Sequence, residues 1–209
     1  NGIKCLTNDT YKYFALNNDT LFAINYADKL RYHKYSRWGP SIKAPEFFDS
    51  KNIKIISRSI KSEHGLVYTF EGELYGFGRN TSAQIGVVNN NGCIEPTLIE
   101  FEFDSIIKQM ECGYDHSLIL TTKGNVYGTG TNRHLQLSNE YKEKLKTRIQ
   151  KLNTHNIINI CCAQYTSFLL NNNNELSAYG KDIRESSSYP LLKGNILKNV
   201  IYFHCGFDH

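Results

Sequence analysis

Three histidines recur at one position of a repeated segment, and histidine is the side chain best suited to act as a general base or to bind a metal near neutral pH. They are His64, His116 and His209. One imidazole in each repeat could form a ring that holds a metal ion. A side chain that recurs once per repeat is more typical of a structural role, such as a hydrogen bond to a neighbouring backbone carbonyl. We therefore predict that these histidines fix the repeats, and we assign no catalytic residue, metal or cofactor.

The residues around His116 have the composition of a hydrolase triad, because Asp115 and Ser117 flank it. Consecutive residues of a strand point to opposite faces, so these three side chains cannot converge as a triad does. The glycine strings Gly76-x-Gly78 and Gly128-x-Gly130 lack the lysine and the following helix of a phosphate-binding loop. The sequence therefore predicts neither hydrolysis nor nucleotide binding by these segments.

Cations alternate with aromatic residues in the segment KLRYHKYSRW, which runs from Lys29 to Trp38. It supplies the candidate partner-binding residues Arg31, Tyr32, Lys34, Tyr35, Arg37 and Trp38. Such a composition suits phosphate contacts with base stacking, and it equally suits a protein interface. A solvated loop without a binding role is the third interpretation. We predict that Lys29 to Pro45 is a loop after the third strand of its repeat, and that the charged stretch Lys142 to Arg148 is an exposed loop.

Composition sets further bounds on function. The chain has 209 residues, a net charge of +4 and 12% aromatic residues, so it can form a packed core and shows no strong bias toward nucleic acid or an anionic membrane. No apolar run approaches the roughly 20 residues of a membrane span. None of the six cysteines forms a C-x-x-C pair, which argues against a zinc site. We predict buried thiols in a reducing compartment, with disulfides as the alternative.

An internal repeat organises the chain. The segments Gly72 to Gly78, Gly124 to Gly130 and Asn174 to Gly180 share one pattern, and Asp19 to Asn25 is interpreted as a degenerate first copy. The period is about 50 residues, in the range of propeller blades. The predicted units are residues 1–52, 53–105, 106–156 and 157–200, and residues 201–209 begin a fifth.

Each unit contains short apolar runs separated by turns. Four strands are predicted in the unit 106–156, namely Ile106 to Glu111, His116 to Thr121, Asn125 to Gly130 and Thr147 to Leu152, and the glycine-containing turns are typical of hairpins. No unit has a convincing long amphipathic helix, since even the best candidate, Asn139 to Lys151, has too few apolar positions. Four short antiparallel strands per period indicate an all-β fold, a β-propeller of four-stranded blades with about four blades present. The paired glycines are predicted to let neighbouring blades or the axial chain approach closely.

The repeat resembles that of the regulator of chromosome condensation family. The matching motif runs from Cys112-Gly113 through His116-Ser117 and Gly124 to Asn132, and a second copy lies between His64 and Gly86. The structural motif positions are His64, Gly72, Gly78, Gly113, His116, Gly124, Tyr127 and Gly130. The resemblance implies a propeller of seven blades whose loops bind proteins. Some members carry further domains, and one is an exchange factor for the GTPase Ran that binds chromatin.

The chain departs from that pattern, since Phe77 and Thr129 stand where an aromatic residue, most often tryptophan, is usual, and the first unit lacks nearly all the glycines. Four blades would leave strand edges open, so we expect the chain to be a segment of a longer ring. The leading hypothesis is a non-catalytic protein-binding scaffold, intracellular in the cytoplasm or nucleus, and not an enzyme in the hydrolytic sense. The alternative is guanine-nucleotide exchange on a small Ran-like GTPase, with chromatin or nucleic acid as a further partner.

Overall fold

The computed structural model of the protein describes residues 11–17, 20–34, 47–59, 62–88, 93–137, 145–181 and 191–206. These residues contain sixteen β-strands in four sheets. Blade 1 comprises β1 (Tyr11–Asn17), β2 (Thr20–Asn25) and β3 (Leu30–Lys34). Each strand pairs antiparallel with the next one along the chain. The fold is therefore an all-β array of blades, as the repeat predicts.

Blades 2, 3 and 4 each have four antiparallel strands in chain order. Blade 2 is formed by β4 (Ile53–Ile56), β6 (His64–Thr69), β7 (Leu74–Arg79) and β8 (Cys93–Leu98). Blade 3 is formed by β9 (Ile107–Cys112), β10 (His116–Thr121), β11 (Val126–Thr131) and β12 (Leu145–Lys151). Blade 4 is formed by β13 (Ile157–Cys162), β14 (Thr166–Asn171), β15 (Leu176–Lys181) and β16 (Leu191–Leu197).

The predicted strands of blade 3 agree with the structure to within two residues, and His116–Thr121 is reproduced without a shift. The weak helical candidate Asn139 to Lys151 is a strand over Leu145–Lys151, in agreement with the fourth strand predicted there, because its sparse apolar positions serve an outer strand. Its residues 139–144 lie outside the described ranges.

After Ser57 the chain leaves its own blade. Ser57 receives a hydrogen bond from the Leu66 nitrogen on its hydroxyl, at 2.9 Å. The next two residues form β5 (Arg58–Ser59), which pairs in parallel with β9 of blade 3. This short crossover ties the inner edge of one blade to the next and could not be seen in a pattern of apolar residues alone.

The cores lie between blades, and alternate residues of one middle strand serve different neighbours. In β10, Ile119 packs in the cluster shared with blade 2, whereas Leu118 and Leu120 pack in the cluster shared with blade 4. Every residue of β10 is buried. A strand covered on both faces has no need of polar alternation, which explains the continuous run Leu118-Ile119-Leu120 in the sequence.

Blade 1 differs in register from the prediction. The hairpin bond from the Asn25 nitrogen to the Lys29 carbonyl, 3.1 Å, repeats the bond from Thr69 to Glu73, 3.0 Å. Strand β2 therefore corresponds to β6, the second strand of its blade. The prediction that Asp19 to Asn25 copies the third-strand segment Gly72 to Gly78 is wrong.

The misalignment has a physical reason at Asp28. The Ile53 nitrogen donates to the Asp28 carbonyl at 2.8 Å, just as the Ile157 nitrogen donates to Gly124 at 3.0 Å. Asp28 has φ +60° and Gly124 has φ +77°. Aspartate is among the few non-glycine residues that adopt the left-handed region. The chain therefore forms this hairpin with Asp28 in place of glycine. A search for the repeat that relies on its glycines does not detect such a hairpin.

The paired glycines accommodate their own blade rather than neighbouring blades. A Cβ on Gly128 would lie 2.9 Å from Cδ2 of Leu137, in the segment that follows the same sheet's third strand. A Cβ on Gly130 would overlap the Asp115 carbonyl oxygen, in the turn before β10. The prediction of close approach is right, but the approaching backbone and side chains belong to the same unit.

A disulfide joins Cys161 and Cys205, whose Cα atoms are 6.3 Å apart. This corrects the prediction of reduced thiols for these two residues. Cys161 lies in the first strand of blade 4, and Cys205 lies in the segment that follows that blade. Cys112 is a free thiol, and burial raises its pKa to about 11. The sequence did not identify the pair, because spacing within repeats does not show which inner strands lie side by side.

We expect Cys205→Ser to lower the free energy of unfolding by about 2–4 kcal/mol, because the disulfide closes a long loop in the unfolded chain. Urea unfolding of the full-length protein with and without reductant measures the effect. Cys162→Ser is the matched control, since it removes the neighbouring thiol and keeps the disulfide. Wild-type protein whose unfolding midpoint ignores reductant would contradict the prediction.

Candidate functional site

The recurring histidines connect adjacent blades. The Nε2 atom of His64 in blade 2 lies 2.8 Å from the Ser117 hydroxyl of blade 3. That hydroxyl donates to the Gln84 carbonyl at 2.7 Å, so it accepts its bond from His64 and thereby selects the tautomer protonated at Nε2. These two hydrogen bonds link His64 of blade 2 to Ser117 of blade 3, and Ser117 in turn to Gln84 in the loop after the third strand of blade 2.

The same contact recurs one blade further on, where Nε2 of His116 lies 3.0 Å from the Ser167 hydroxyl. In both contacts the Nε2 partner is a serine hydroxyl of the next blade, whereas the predicted structural role was illustrated by a backbone carbonyl. Burial lowers the pKa of both histidines to about 3, with nearby His116 and Arg79 adding to the effect at His64. Ser117 thus serves His64 of the preceding blade, and it does not form a triad with His116.

A separate surface forms at the end of the blades where the turns before the second strands emerge. We call it the turn face, and it comprises residues 79–82, 113–115, 131–134 and 163–165 together with Lys181. Backbone bonds fix it, since the Tyr114 nitrogen donates to the Gln164 carbonyl of the next blade at 3.0 Å. The Thr131 nitrogen donates to the Asp115 carbonyl at 2.8 Å. The surface is therefore rigidly mounted on the sheets.

Aromatic rings and cations form a row across the turn face. The Arg79 guanidinium lies 5.3 Å from the centre of the Tyr114 ring. The Tyr114 and Tyr165 rings meet edge to face at 5.9 Å. The Lys181 ammonium is 5.6 Å from the Tyr165 ring, and the His134 ring is 5.3 Å from it. The row joins three blades and combines the residue types that dominate protein interfaces.

A polar cavity of 160 Å³ opens beside this row. It is lined by Ser82, Asp115, Thr131, Arg133, His134 and Tyr165. Oδ1 of Asp115 is buried and makes no hydrogen bond in the structure, although the Arg79 guanidinium lies 3.8 Å away. Burial raises the pKa of Asp115, while Arg79 and Arg133 act in the opposite direction. A carboxylate oxygen short of hydrogen bonds favours a donor supplied by a partner.

Three of the six residues predicted to bind a partner lie in a described strand of blade 1. Arg31, Tyr32 and Lys34 belong to β3, so the prediction that Lys29 to Pro45 forms a loop is wrong over Leu30–Lys34. Lys29 donates from Nζ to the Lys51 carbonyl at 3.2 Å. The other three candidates, Tyr35, Arg37 and Trp38, lie outside the described residues. The second charged stretch is also partly wrong as a loop, because β12 begins at Leu145.

The sequence did not predict the turn face, because Tyr114 and Tyr165 stand at different positions of their repeats. Tyr114 directly follows Gly113, whereas Tyr165 stands two positions after the equivalent Ala163. They meet only because neighbouring blades are offset in space. The available signal was Asp115, which stands within the motif next to His116, but the motif was interpreted as structural throughout.

Two family models match the centre of the chain. Both describe the regulator of chromosome condensation (RCC1) repeat, one over residues 71–120 and the other over residues 107–136. Residues 71–136 therefore carry repeats of the RCC1 type. The matched residues include His116, the hairpin of blade 3 and the turn-face residues 79–82, 113–115 and 131–134.

Curated RCC1-repeat relatives match parts of the chain. It is 34% identical to the ultraviolet-B receptor UVR8 of Arabidopsis thaliana over 43% of this chain and 21% of that protein. It is 31% identical to the RCC2 homolog of Danio rerio over 56% and 24%, respectively. It is 36% identical to the X-linked retinitis pigmentosa GTPase regulator of Homo sapiens over 44% and 9%. The chain thus spans less than a quarter of the length of each.

Solved structures support the propeller fold. Yeast RCC1 (Prp20), solved bound to Kap60, superposes with a TM-score of 0.78 over 99% of this chain and 54% of that one, at 16% identity. A second structure of Prp20p from Saccharomyces cerevisiae gives a TM-score of 0.73 over 94% and 52%, also at 16% identity. Within the described part of the chain, no helix is long and apolar enough to cross a bilayer.

Phe77 and Thr129, which stand where the RCC1 repeat most often has tryptophan, both contact a neighbouring unit. The Thr129 hydroxyl, in place of the usual ring, donates to the Ala83 carbonyl of the preceding blade at 2.9 Å. Phe77 keeps an aromatic ring and packs against Phe48 at 6.3 Å between centroids. One position therefore links blades by a hydrogen bond or by ring contact.

Proposed function

We propose that this RCC1-repeat chain is a non-catalytic scaffold that binds a protein partner on the turn face. The observation that carries the proposal is the row of Arg79, Tyr114, Tyr165 and Lys181 beside the cavity that contains Asp115. Its rings are held by contacts within the fold, so binding would order few side chains and lose little entropy. The buried carboxylate oxygen supplies one specific position for a donor from the partner.

The partner chemistry follows from the charges. Arg133 is exposed beside Asp115, and Lys181 lies across Tyr165. A partner surface that offers a carboxylate to Arg133 and an N–H donor to Asp115 matches this arrangement. Such paired groups give specificity, because a partner that lacks the donor leaves the Asp115 oxygen unsatisfied.

We expect Tyr165→Ala and Arg133→Ala each to weaken partner binding about tenfold or more, because buried aromatic and arginine contacts dominate interface energies. Calorimetric titration of the full-length protein with a Ran-type GTPase and with core histones checks this. Glu71→Ala, an exposed change in the hairpin at the opposite strand ends, is the control and should leave affinity within twofold. Equal affinity for all three variants would contradict the proposed face.

The second candidate function is guanine-nucleotide exchange on a small GTPase. Its support is that Prp20p of Saccharomyces cerevisiae has binding properties to Gsp1p and histones and that another relative is a GTPase regulator. An exchange factor needs no acid or base, since it acts by favouring the nucleotide-free GTPase through linkage. Release of labelled GDP from a panel of GTPases decides between the two. Acceleration supports exchange, and an unchanged rate across the panel supports the scaffold.

Chromatin or nucleic acid is the third proposed partner, through the basic candidate residues Arg31, Lys34 and Arg37. Phosphate contacts make affinity fall steeply with salt. DNA binding measured across salt concentrations, with these three residues replaced by Ala, tests the idea. Binding that does not change in the variant would exclude this segment.

We also propose that the complete ring has seven blades and that the remainder lies outside this chain. A native protein ending at His209 that stays monomeric would overturn this. An intracellular location, cytoplasmic or nuclear, is part of the proposal, and the disulfide provides its test because reducing compartments disfavour such bonds. Protein alkylated during cell lysis that shows free Cys161 and Cys205 supports the intracellular location, whereas the linked peptide that the structure shows points to an oxidising compartment.

A further inference from the structure

We infer that the outer rim between blades 2 and 3 is a second docking site, which takes an extended peptide of a partner protein carrying aliphatic side chains next to lysine or arginine. A groove of 540 Å³ lies there. Its lining comes from the loop after β7, from the end of β8 and from β12. It shares no residue with the turn face. The inference rests on the proposed protein-binding function but uses a different surface.

The groove is apolar at its floor and walls. Ile99 and Ile149 are each 5% exposed and form the floor. Val88 and Leu98 stand at the walls and are 63% and 44% exposed. Scattered exposed aliphatic residues are ordinary, but these line one concavity over a buried apolar floor, which is characteristic of a binding groove.

The walls are held in place before any ligand arrives. The Ile99 nitrogen donates to the Leu74 carbonyl at 2.8 Å. The Asn80 side chain donates from Nδ2 to the Val87 carbonyl at 3.0 Å, so a motif asparagine fixes one wall. The Phe101 ring packs on Phe103 at 4.7 Å. A preformed groove lowers the entropic cost of binding a peptide.

Charge selects a basic partner. Glu100 lines the groove, and Glu95 and Glu102 are exposed in the same eight-residue stretch, which contains the lining segment 98–101. Arg148 is the cation among the described lining residues. These three glutamates differ in charge from the chain as a whole, whose net charge is +4, and from the turn face, which carries Arg133 and Lys181. Complementary potential therefore favours a segment rich in lysine or arginine.

Shape favours an extended peptide over a small molecule. The lining offers only Glu100 and Arg148 as charged groups, whereas small-molecule sites use several converging polar groups. Strand β8 is the outermost strand of its sheet, along which an extended segment can lie. Pro96 within β8 lacks an N–H and interrupts any continuous ladder, so recognition rests on side chains.

Fluorescence anisotropy of the full-length protein tests the site with two labelled eight-residue probes, one alternating leucine with lysine and one alternating leucine with glutamate. We expect the leucine–lysine probe to bind about tenfold tighter or more. The double variant Val88→Ala/Leu98→Ala should weaken it about tenfold, and Glu100→Lys should weaken it in a salt-dependent manner. Ile158→Ala, an exposed aliphatic change on blade 4, is the matched control and should stay within twofold.

The outcomes separate this site from the turn face. Equal affinity for the two probes, or a double variant within twofold of wild type, would overturn the inference. Sedimentation showing that the double variant abolishes self-association, with no probe binding, would overturn it in favour of a second copy of this chain. Tyr165→Ala should leave probe affinity unchanged, so the scaffold proposal can fail at the turn face while the groove still binds.

Discussion

Gly130→Ala is expected to destabilise the protein by about 4 kcal/mol or more, a large fraction of the roughly 5–15 kcal/mol by which folded proteins are stable. Gly130 has φ +99°, which L side chains rarely adopt. A Cβ there would also overlap the Asp115 carbonyl oxygen and approach the His116 Cα atom to 2.8 Å. Both obstacles are backbone atoms of the paired strand and cannot rotate away. Urea unfolding, or the soluble yield where unfolding is complete, measures the loss.

Gly194→Ala is the matched control for this prediction. Gly194 has φ +90°, and a Cβ there would meet no heavy atom of the described part of the chain within 4 Å. Gly194→Ala therefore introduces the same backbone strain without a steric overlap, and we expect it to lower the free energy of unfolding by about 1–2 kcal/mol. The difference between the two variants isolates the close approach to the turn before β10. Equal losses would show that the turn moves aside, and that the motif glycine serves backbone conformation alone.

The positions that the sequence predicted well are those where local chemistry and tertiary contact agree. The run Leu118-Ile119-Leu120 predicts a strand whether it faces one neighbour or two, so β10 was placed without error. Gly72 and Gly124 mark hairpins directly, because both have positive φ in tight turns. Tyr127 keeps its repeat position because its ring packs edge to face on Phe103 at 5.1 Å.

The features that the sequence did not predict depend on how one blade sits on the next. The Cys161–Cys205 disulfide and the Tyr114–Tyr165 contact join residues of different units, and the offset between units is a property of blade packing. The basic stretch around Arg31 is a case in which the sequence predicted the wrong backbone structure. Its composition indicated a loop, but Leu30 follows a hairpin built on Asp28 and starts a strand. Composition describes what a side chain could bind and does not fix the backbone beneath it.

Lowering the pH from 7 to about 5 is expected to destabilise the protein through its buried histidines. Burial lowers the pKa of His64 and His116 to about 3, while the unfolded chain protonates near the ordinary value of 6.5. The unfolded state therefore binds more protons between these values, so their contribution is full above about pH 6.5 and is lost as the pH falls toward 3. Each histidine contributes up to about 4–5 kcal/mol to the change in the free energy of unfolding between pH 6.5 and pH 3.

His116→Gln tests the source of that slope. The amide cannot take up a proton in the unfolded chain, so the variant should lose about half of the histidine contribution to the pH dependence, even though it is less stable at pH 7 by about 1–3 kcal/mol. Ser167→Ala is the matched control. It removes the partner at 3.0 Å but leaves the imidazole buried, so it should lower stability at pH 7 and keep the full slope. Urea midpoints at several pH values above about 5 give both quantities, in a range where carboxylates contribute little. Identical slopes in the two variants would mean that the link between blades 3 and 4, and not the buried imidazole, sets the acid sensitivity.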